Sequence, residues 1–290
     1  MNIIKSVVLS TLISGSVWAA GESSETVNLN EILTSPTVNV SSYQFPAGGS
    51  PGVLYNNGPL INGVGTGAGG LDESILQNTS LGLNTLGFGH QFLNDNRVAD
   101  DFTITGNDWT INTITFYAYQ TGAVASTITA VNLQIWDGVP GDPGSTVVFG
   151  DETTNIMSNS VNSNILRVTE ATTGTATNRQ IAASTVDVNI VLPAGTYWLD
   201  WQSDGSAASG PWAPPITIAG QAITGNGMQS IAGVWGPALD GGGNADPQGF
   251  PFVINGSSQI IPIPAYNWIG LSLLVLLLGF ASRKFLLVKE

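Results

Sequence analysis

The segment from Val186 to Gln202 carries the pattern that most limits what this chain can fold into. V-D-V-N-I-V-L (Val186–Leu192) and T-Y-W-L-D-W-Q (Thr196–Gln202) alternate apolar and polar residues, with Pro193-Ala194-Gly195 between them. A period of two places one set of side chains on one face of an extended strand, so the segment reads as two strands. The Pro-Ala-Gly join predicts a hairpin. In the second strand Tyr197, Leu199 and Trp201 share one face, and Trp198, Asp200 and Gln202 the other. The alternation recurs in Ile114–Tyr119, where Ile114, Phe116 and Ala118 face one way and Thr115, Tyr117 and Tyr119 the other. It recurs again in Val131–Trp136, with Val131, Leu133 and Ile135 opposed to Asn132, Gln134 and Trp136. Shorter strands are expected at Asp101–Thr105, Thr146–Phe149, Ile165–Thr169, Pro215–Ala219 and Phe252–Asn255. Between the termini no window of ten or more residues has helical periodicity.

Composition points the same way. Charged residues are 9% of the 290, where a soluble domain carries about a quarter, and exposed helix faces are normally built from Glu, Lys and Arg. Gly (36) and Pro (15) punctuate the chain densely. The expected fold class is all-β, an antiparallel β-sandwich of jelly-roll type. A parallel β-helix competes, since Thr, Asn and Gly abound, but it requires a constant repeat that the chain lacks. With no Cys and one His, disulfides, Cys-ligated zinc or iron–sulfur sites and His-cluster metal sites are excluded.

Both ends read as addresses. Lys5, the apolar run Val7–Ile13 and the small residues Ser16, Ala19 and Ala20 form a secretory signal over 1–20, cleaved after Ala20. A polar segment follows over 21–52, and the sandwich domain is expected over 53–257. Residues 258–267 form a Pro-bearing linker, and 268–290 one transmembrane helix with a basic tail. The uncharged run Ile269–Ser282 has 14 residues, fewer than the roughly 20 that span a bilayer. Trp268 and Tyr266 on one side, and Phe285–Val288 beyond snorkelling Arg283 and Lys284, supply the rest. Basic residues after the helix place its end in the cytoplasm and the body outside. Between Gly21 and Asn267 there are 19 acids against Arg97, Arg167 and Arg179, a net charge near −16. Such a body repels anionic polymers, and nucleic acid is not an expected partner.

The tail resembles the C-terminal sorting signals of the PEP-CTERM group of Gram-negative bacteria, especially the subtype reading I-P-T-L-S-x-W-G. Ile261, Pro262, Trp268 and Gly270 match in kind, and Arg283 and Lys284 form the basic stop. The chain departs from the motif with Ile263-Pro264 in place of Thr-Leu, and with Ala265-Tyr266-Asn267 before the Trp. The resemblance implies an exosortase-class transpeptidase as partner and an exported protein of the cell envelope, surface or matrix, held at least transiently in the membrane. The stretches Val98–Ile104, Trp109–Tyr119, Leu192–Trp201 and Ser209–Pro215 resemble a recurrent domain of secreted bacterial proteins that has no established activity. That likeness implies a β-sandwich and carries no catalytic residues across.

Few constellations carry chemistry. A Ser–His–Asp relay would have to use His90, in L-G-F-G-H-Q-F, and no G-x-S-x-G elbow is present. A glycosidase needs two carboxylates about 5–10 Å apart; Asp100/Asp101, Asp151/Glu152 and Asp200 are available, although strand neighbours point to opposite faces. Oxygen-rich loops suit one structural calcium, with Asp240, Asn244 and Asp246 the first candidates and no other cofactor expected. Trp136 and Trp198, on the polar strand face, and Trp212, in a Pro-rich loop, are candidates for stacking on an extracellular polysaccharide; the competing reading packs these rings under a covering layer. The expected function is a non-enzymatic, exported surface or matrix protein, adhesive or glycan-binding. The alternatives are a secreted polysaccharide hydrolase using an Asp/Glu pair, and a small-ligand binder with a closed apolar pocket.

Overall fold

The computed structural model describes residues 21–23 and 52–258. In chain order the strands are β1 (Gly21–Ser23), β2 (Val53–Asn57), β3 (Asp72–Leu76), β4 (Thr85–Gly89), β5 (Arg97–Ile104), β6 (Trp109–Ala118), β7 (Ile128–Trp136) and β8 (Val147–Asp151). They continue with β9 (Met157–Thr169), β10 (Gln180–Leu192), β11 (Gly195–Gly205), β12 (Trp212–Ala213), β13 (Met228–Ile231), β14 (Val234–Pro237) and β15 (Phe252–Ser258). The only helical segments among the described residues are four single 3-10 turns. None is long and apolar enough to cross a membrane. The expected signal helix, and the tail with its transmembrane run, lie outside the described residues.

The described residues are all-β, with two six-stranded sheets around the main core. The first sheet runs β2-β15-β6-β10-β9-β3, and the second β14-β13-β5-β11-β7-β8. A small third sheet, β1-β4-β12, accompanies them. All pairings within these sheets are antiparallel except β3 with β9. Period-2 alternation supplies the inner faces: Ile114, Phe116 and Ala118 from β6 meet Val131, Leu133 and Ile135 from β7 and Leu199 and Trp201 from β11. At the centre Trp201 stacks on Phe116, ring centroids 4.4 Å apart, with Phe250 and Phe252 edge-on. Offset and edge contacts of this kind add to burial because they align ring edges with ring faces. A bulge in the pairing of β6 with β15, where Thr113 and Ile111 oppose the adjacent residues Asn255 and Gly256, shifts the phase so that Ile111 joins Ile114 in the same core.

Two expectations fail here. The strands on either side of Pro193-Ala194 do not form a hairpin: β10 pairs with β6 and β9, while β11 pairs with β5 and β7. The turn is an arch between sheets, held by a hydrogen bond from the Tyr197 hydroxyl to the Pro193 carbonyl at 3.2 Å. A strand alternation marks an apolar face but not a ladder partner, so an arch and a hairpin look alike in sequence. Pro215–Ala219 is not a strand either; two prolines, Pro214 and Pro215, remove ladder donors at its start.

Part of the first sheet is buried on both faces. Tyr117, Tyr119, Ile165, Ile181, Ala183 and Val253 form a second cluster behind it with Leu60, joined by half-buried Ile61 and Trp212.

Candidate functional site

The outer face of the second sheet is where an ordinary sandwich presents solvated side chains, yet here it is a buried polar array. Register pairs Trp198 with Trp136, Asp200 with Gln134, and Gln202 with Asn132 across β11 and β7. Arg97, at the start of β5, extends beneath them. Its Nε donates to Asp200 Oδ1 (2.5 Å), its Nη1 to Gln202 Oε1 (2.7 Å) and Asn132 Oδ1 (3.1 Å), and its Nη2 to the Asp200 carbonyl (3.2 Å). Asn132 Nδ2 also donates to Gln202 Oε1 (3.1 Å), and Gln202 Nε2 to the Asn96 carbonyl (3.3 Å). Arg97 and Asp200 are almost wholly sequestered, with side chains 2% and 1% exposed. Burial pushes the Asp200 carboxyl up to about 6, against the opposing pull of Arg97 and of the hydrogen bonds from Arg97 and Trp136.

The tryptophans fall in two places. Trp136 is half-buried and spends its indole N–H on Asp200 Oδ2 at 3.0 Å. Trp198, its register partner, is 7% exposed, which leaves little ring face for a ligand. Trp212 lies away from both, on β12, packed on the second cluster and donating to Ser209 Oγ at 3.4 Å.

Beside the array the surface opens. A depression of about 120 Å³ is lined by Phe92, Asn132, Asn155, Gln202 and Asp204 among others. A larger one of about 390 Å³ takes in Leu93, Asp204, Ser209 and Trp212. The two share Asp204 and flank the single 3-10 turn Phe92–Asn94. Phe92 is 47% exposed and Leu93 89%, so the turn is an apolar ridge between the two hollows. Arg97, Asn132, Gln202 and Phe92 went unrecognised as site residues in the sequence, because alternation labels the polar face as merely solvated.

The other candidates separate. Asp100 and Asp101 take opposite faces of β5. Asp100 is buried, accepting from the amides of Phe250 (2.7 Å) and Asp101 (2.8 Å) and from Asn57 Nδ2 (2.9 Å), while Asp101 accepts from Asn226 on the surface. Burial raises the Asp100 carboxyl to about 7, outweighing those donors. Asp151 is fully exposed and accepts from the amides and hydroxyls of Thr153 and Thr154, which hold its carboxyl low. His90 is sealed from solvent with Nε2 3.1 Å from Ser203 Oγ, and burial lowers the imidazole to about 4. Ser203 is itself 2% exposed, so substrate has no approach to this pair.

Asp240 is buried, and its carboxylate accepts the backbone amides of Asn84 (2.9 Å), Thr85 (2.9 Å) and Gly242 (2.7 Å). Asp246 meets it through its carbonyl, bonded to the Asp240 amide at 2.9 Å. The Asp240 oxygens therefore tie the 82–85 turn to the 240–242 turn. Among the described residues no three His, Cys, Asp or Glu gather as metal ligands. The sorting residues Ile261, Pro262, Pro264, Trp268, Gly270, Arg283 and Lys284 lie outside the described residues.

No family model matches the chain, and neither a curated protein nor a solved structure matches it.

Proposed function

We propose that this is an exported, non-enzymatic surface or matrix protein whose β-sandwich makes adhesive contact with glycans. The carrying observation is the outer face of the second sheet. Burying Arg97, Asp200, Asn132 and Gln202 together costs desolvation that apolar packing would avoid, and the array stands beside open hollows next to an exposed aromatic ring. The exposed Asn155 and Asp204 in the hollow suit hydroxyl-rich ligands. Asp100 and Asp101 part to opposite faces of β5, so that pair does not meet in one cleft, which supports binding rather than hydrolysis.

The sandwich is of jelly-roll type in this reading. Eight strands pair as one long hairpin rolled over on itself: β2 with β15, β5 with β11, β6 with β10, and β7 with β8. Successive members of that set alternate between sheets except at β7–β8. Export and sorting rest on the two terminal sequences, with the signal before Gly21 and the PEP-CTERM-like tail serving an exosortase-class transpeptidase. The C-terminal helix holds the chain in the membrane of a Gram-negative envelope until or unless it is cut.

Cell fractionation with mass spectrometry of both termini tests this. The reading expects a chain starting at Gly21, in the envelope or matrix fraction, ending near Pro262–Asn267 if processed. An intact Glu290 refutes cutting, and a cytoplasmic chain with an intact signal refutes the whole.

A further inference from the structure

Building on the glycan-contact reading, we infer that the paired hollows flanking Phe92–Asn94 bind an uncharged oligosaccharide, with Phe92 as the stacking ring and the exposed Asn155 and Asp204 as hydroxyl partners.

The ligand class follows from charge. All three basic side chains in residues 52–258, Arg97, Arg167 and Arg179, are buried, and that range contains no Lys. Of its sixteen carboxylates, Glu73, Asp100, Asp200 and Asp240 are buried and the other twelve reach solvent. A uronate or sulfated polymer would find no exposed cation to pair with and a carboxylate, Asp204, at the centre of the site. Within a Debye length of about 10 Å that repulsion is not screened away. A purely apolar ligand fits no better, since it would desolvate the Asp204 carboxylate and the Asn155 amide without giving them partners.

A neutral sugar satisfies both constraints. Its hydroxyls donate to Asp204 and accept from Asn155, while its C–H face covers an aromatic ring. The Asn155 carbonyl oxygen is taken by the Val131 and Met157 amides, which leaves its Nδ2 as a donor to the ligand. Preorganisation favours binding: the Val131 and Met157 amides hold the Asn155 side chain, and Arg97 fixes Asn132 and Gln202 in the wall of the hollow, so the site is ordered before a ligand arrives. The shared carboxylate between two hollows makes the site longer than one sugar ring, so an oligomer engages it better than a monosaccharide.

Isothermal titration calorimetry of the full chain with cellohexaose, mannohexaose, chitohexaose and polygalacturonate tests the inference. Binding of at least one neutral hexasaccharide is expected, unchanged by 0.5 M NaCl and weakened about tenfold or more by Phe92→Ala and by Asp204→Asn. Both positions are exposed, and Asn keeps an acceptor for the Gly205 amide, so thermal melting should match the parent. Neutral binding that survives both substitutions overturns this site while leaving glycan contact elsewhere on the protein intact. Binding of polygalacturonate alone overturns the ligand class. No binding of any of the four overturns the inference, and the fractionation experiment then decides separately whether the surface-protein reading stands.

Discussion

Asp200→Asn removes one charge from a buried pair and leaves Arg97, 2% exposed, without its counter-ion. Breaking a buried pair from one side costs about 3–5 kcal/mol, because the remaining charge stays desolvated. A second loss is geometric. If the new amide oxygen stays on Arg97 Nε, its NH2 faces the Trp136 indole N–H, which now bonds Asp200 Oδ2 at 3.0 Å, so two donors oppose. For a body of this size 1 kcal/mol shifts Tm by about 2–4 °C, so the expected fall is roughly 6–20 °C. Urea unfolding of the purified chain, followed by tryptophan fluorescence, measures the same quantity at constant temperature. Replacing both partners, Arg97→Met with Asp200→Leu, should recover much of the loss, giving a coupling of about 2 kcal/mol or more in a double-mutant cycle. A melting temperature for Asp200→Asn within 2 °C of the parent, at the order of magnitude set by that conversion, would refute the argument that this pair organises the outer face.

Stability should rise by about 1 kcal/mol as pH falls from 8 to 6.5, most of it from Asp100 and the rest from Asp200, since their raised folded values, about 7 and about 6, mean that the folded state binds the extra protons. Below 6.5 buried His90, held to about 4, works in the opposite sense and its contribution is lost as pH drops through that value. Asp100→Asn should flatten the 8-to-6.5 window; an unchanged slope in urea melts would reject the assignment. Gly150→Ala should lower Tm by several degrees and expose the edge strand β8 to hydrogen exchange, because the new Cβ would meet the Leu133 carbonyl oxygen at 2.0 Å with φ at +80°. Asp240→Ala should cost about 2–4 kcal/mol through three unpartnered amides, and millimolar calcium should not raise the parent's Tm. A calcium-dependent rise would return Asp240, Asn244 and Asp246 to the role of ligands.

Much of the strand content and facing was legible. Val131, Leu133 and Ile135, and Tyr197, Leu199 and Trp201, all enter the core as their alternation indicates. Tyr117 and Tyr119 lie on the face opposite Ile114, Phe116 and Ala118, as their alternation indicates, and both are 1% exposed because the excursion through Leu60 and Ile61 lays a second layer on the first sheet. No local pattern announces such a cover. Short strands such as β13 and β14, four residues each, carry too few alternations to stand out. At the site, Trp136 and Asp200 were singled out, while their connection through Arg97 was not. Arg97 sits 35 residues from Asn132 and 103 from Asp200, and only the ladder brings them together.

The amino-acid sequence alone determined the β class, the inward face of the longer strands and a body with almost no positive charge, since each depends on local alternation or simple counting. Tertiary structure decided which strands pair, that Pro193-Ala194 turns an arch, and that all three arginines of the body are withdrawn from its surface. The physical reason is common to these: backbone ladder bonds are the same for every residue, so partners are selected by the packing of whole faces, and burial of a charge is settled by whatever layer closes over it.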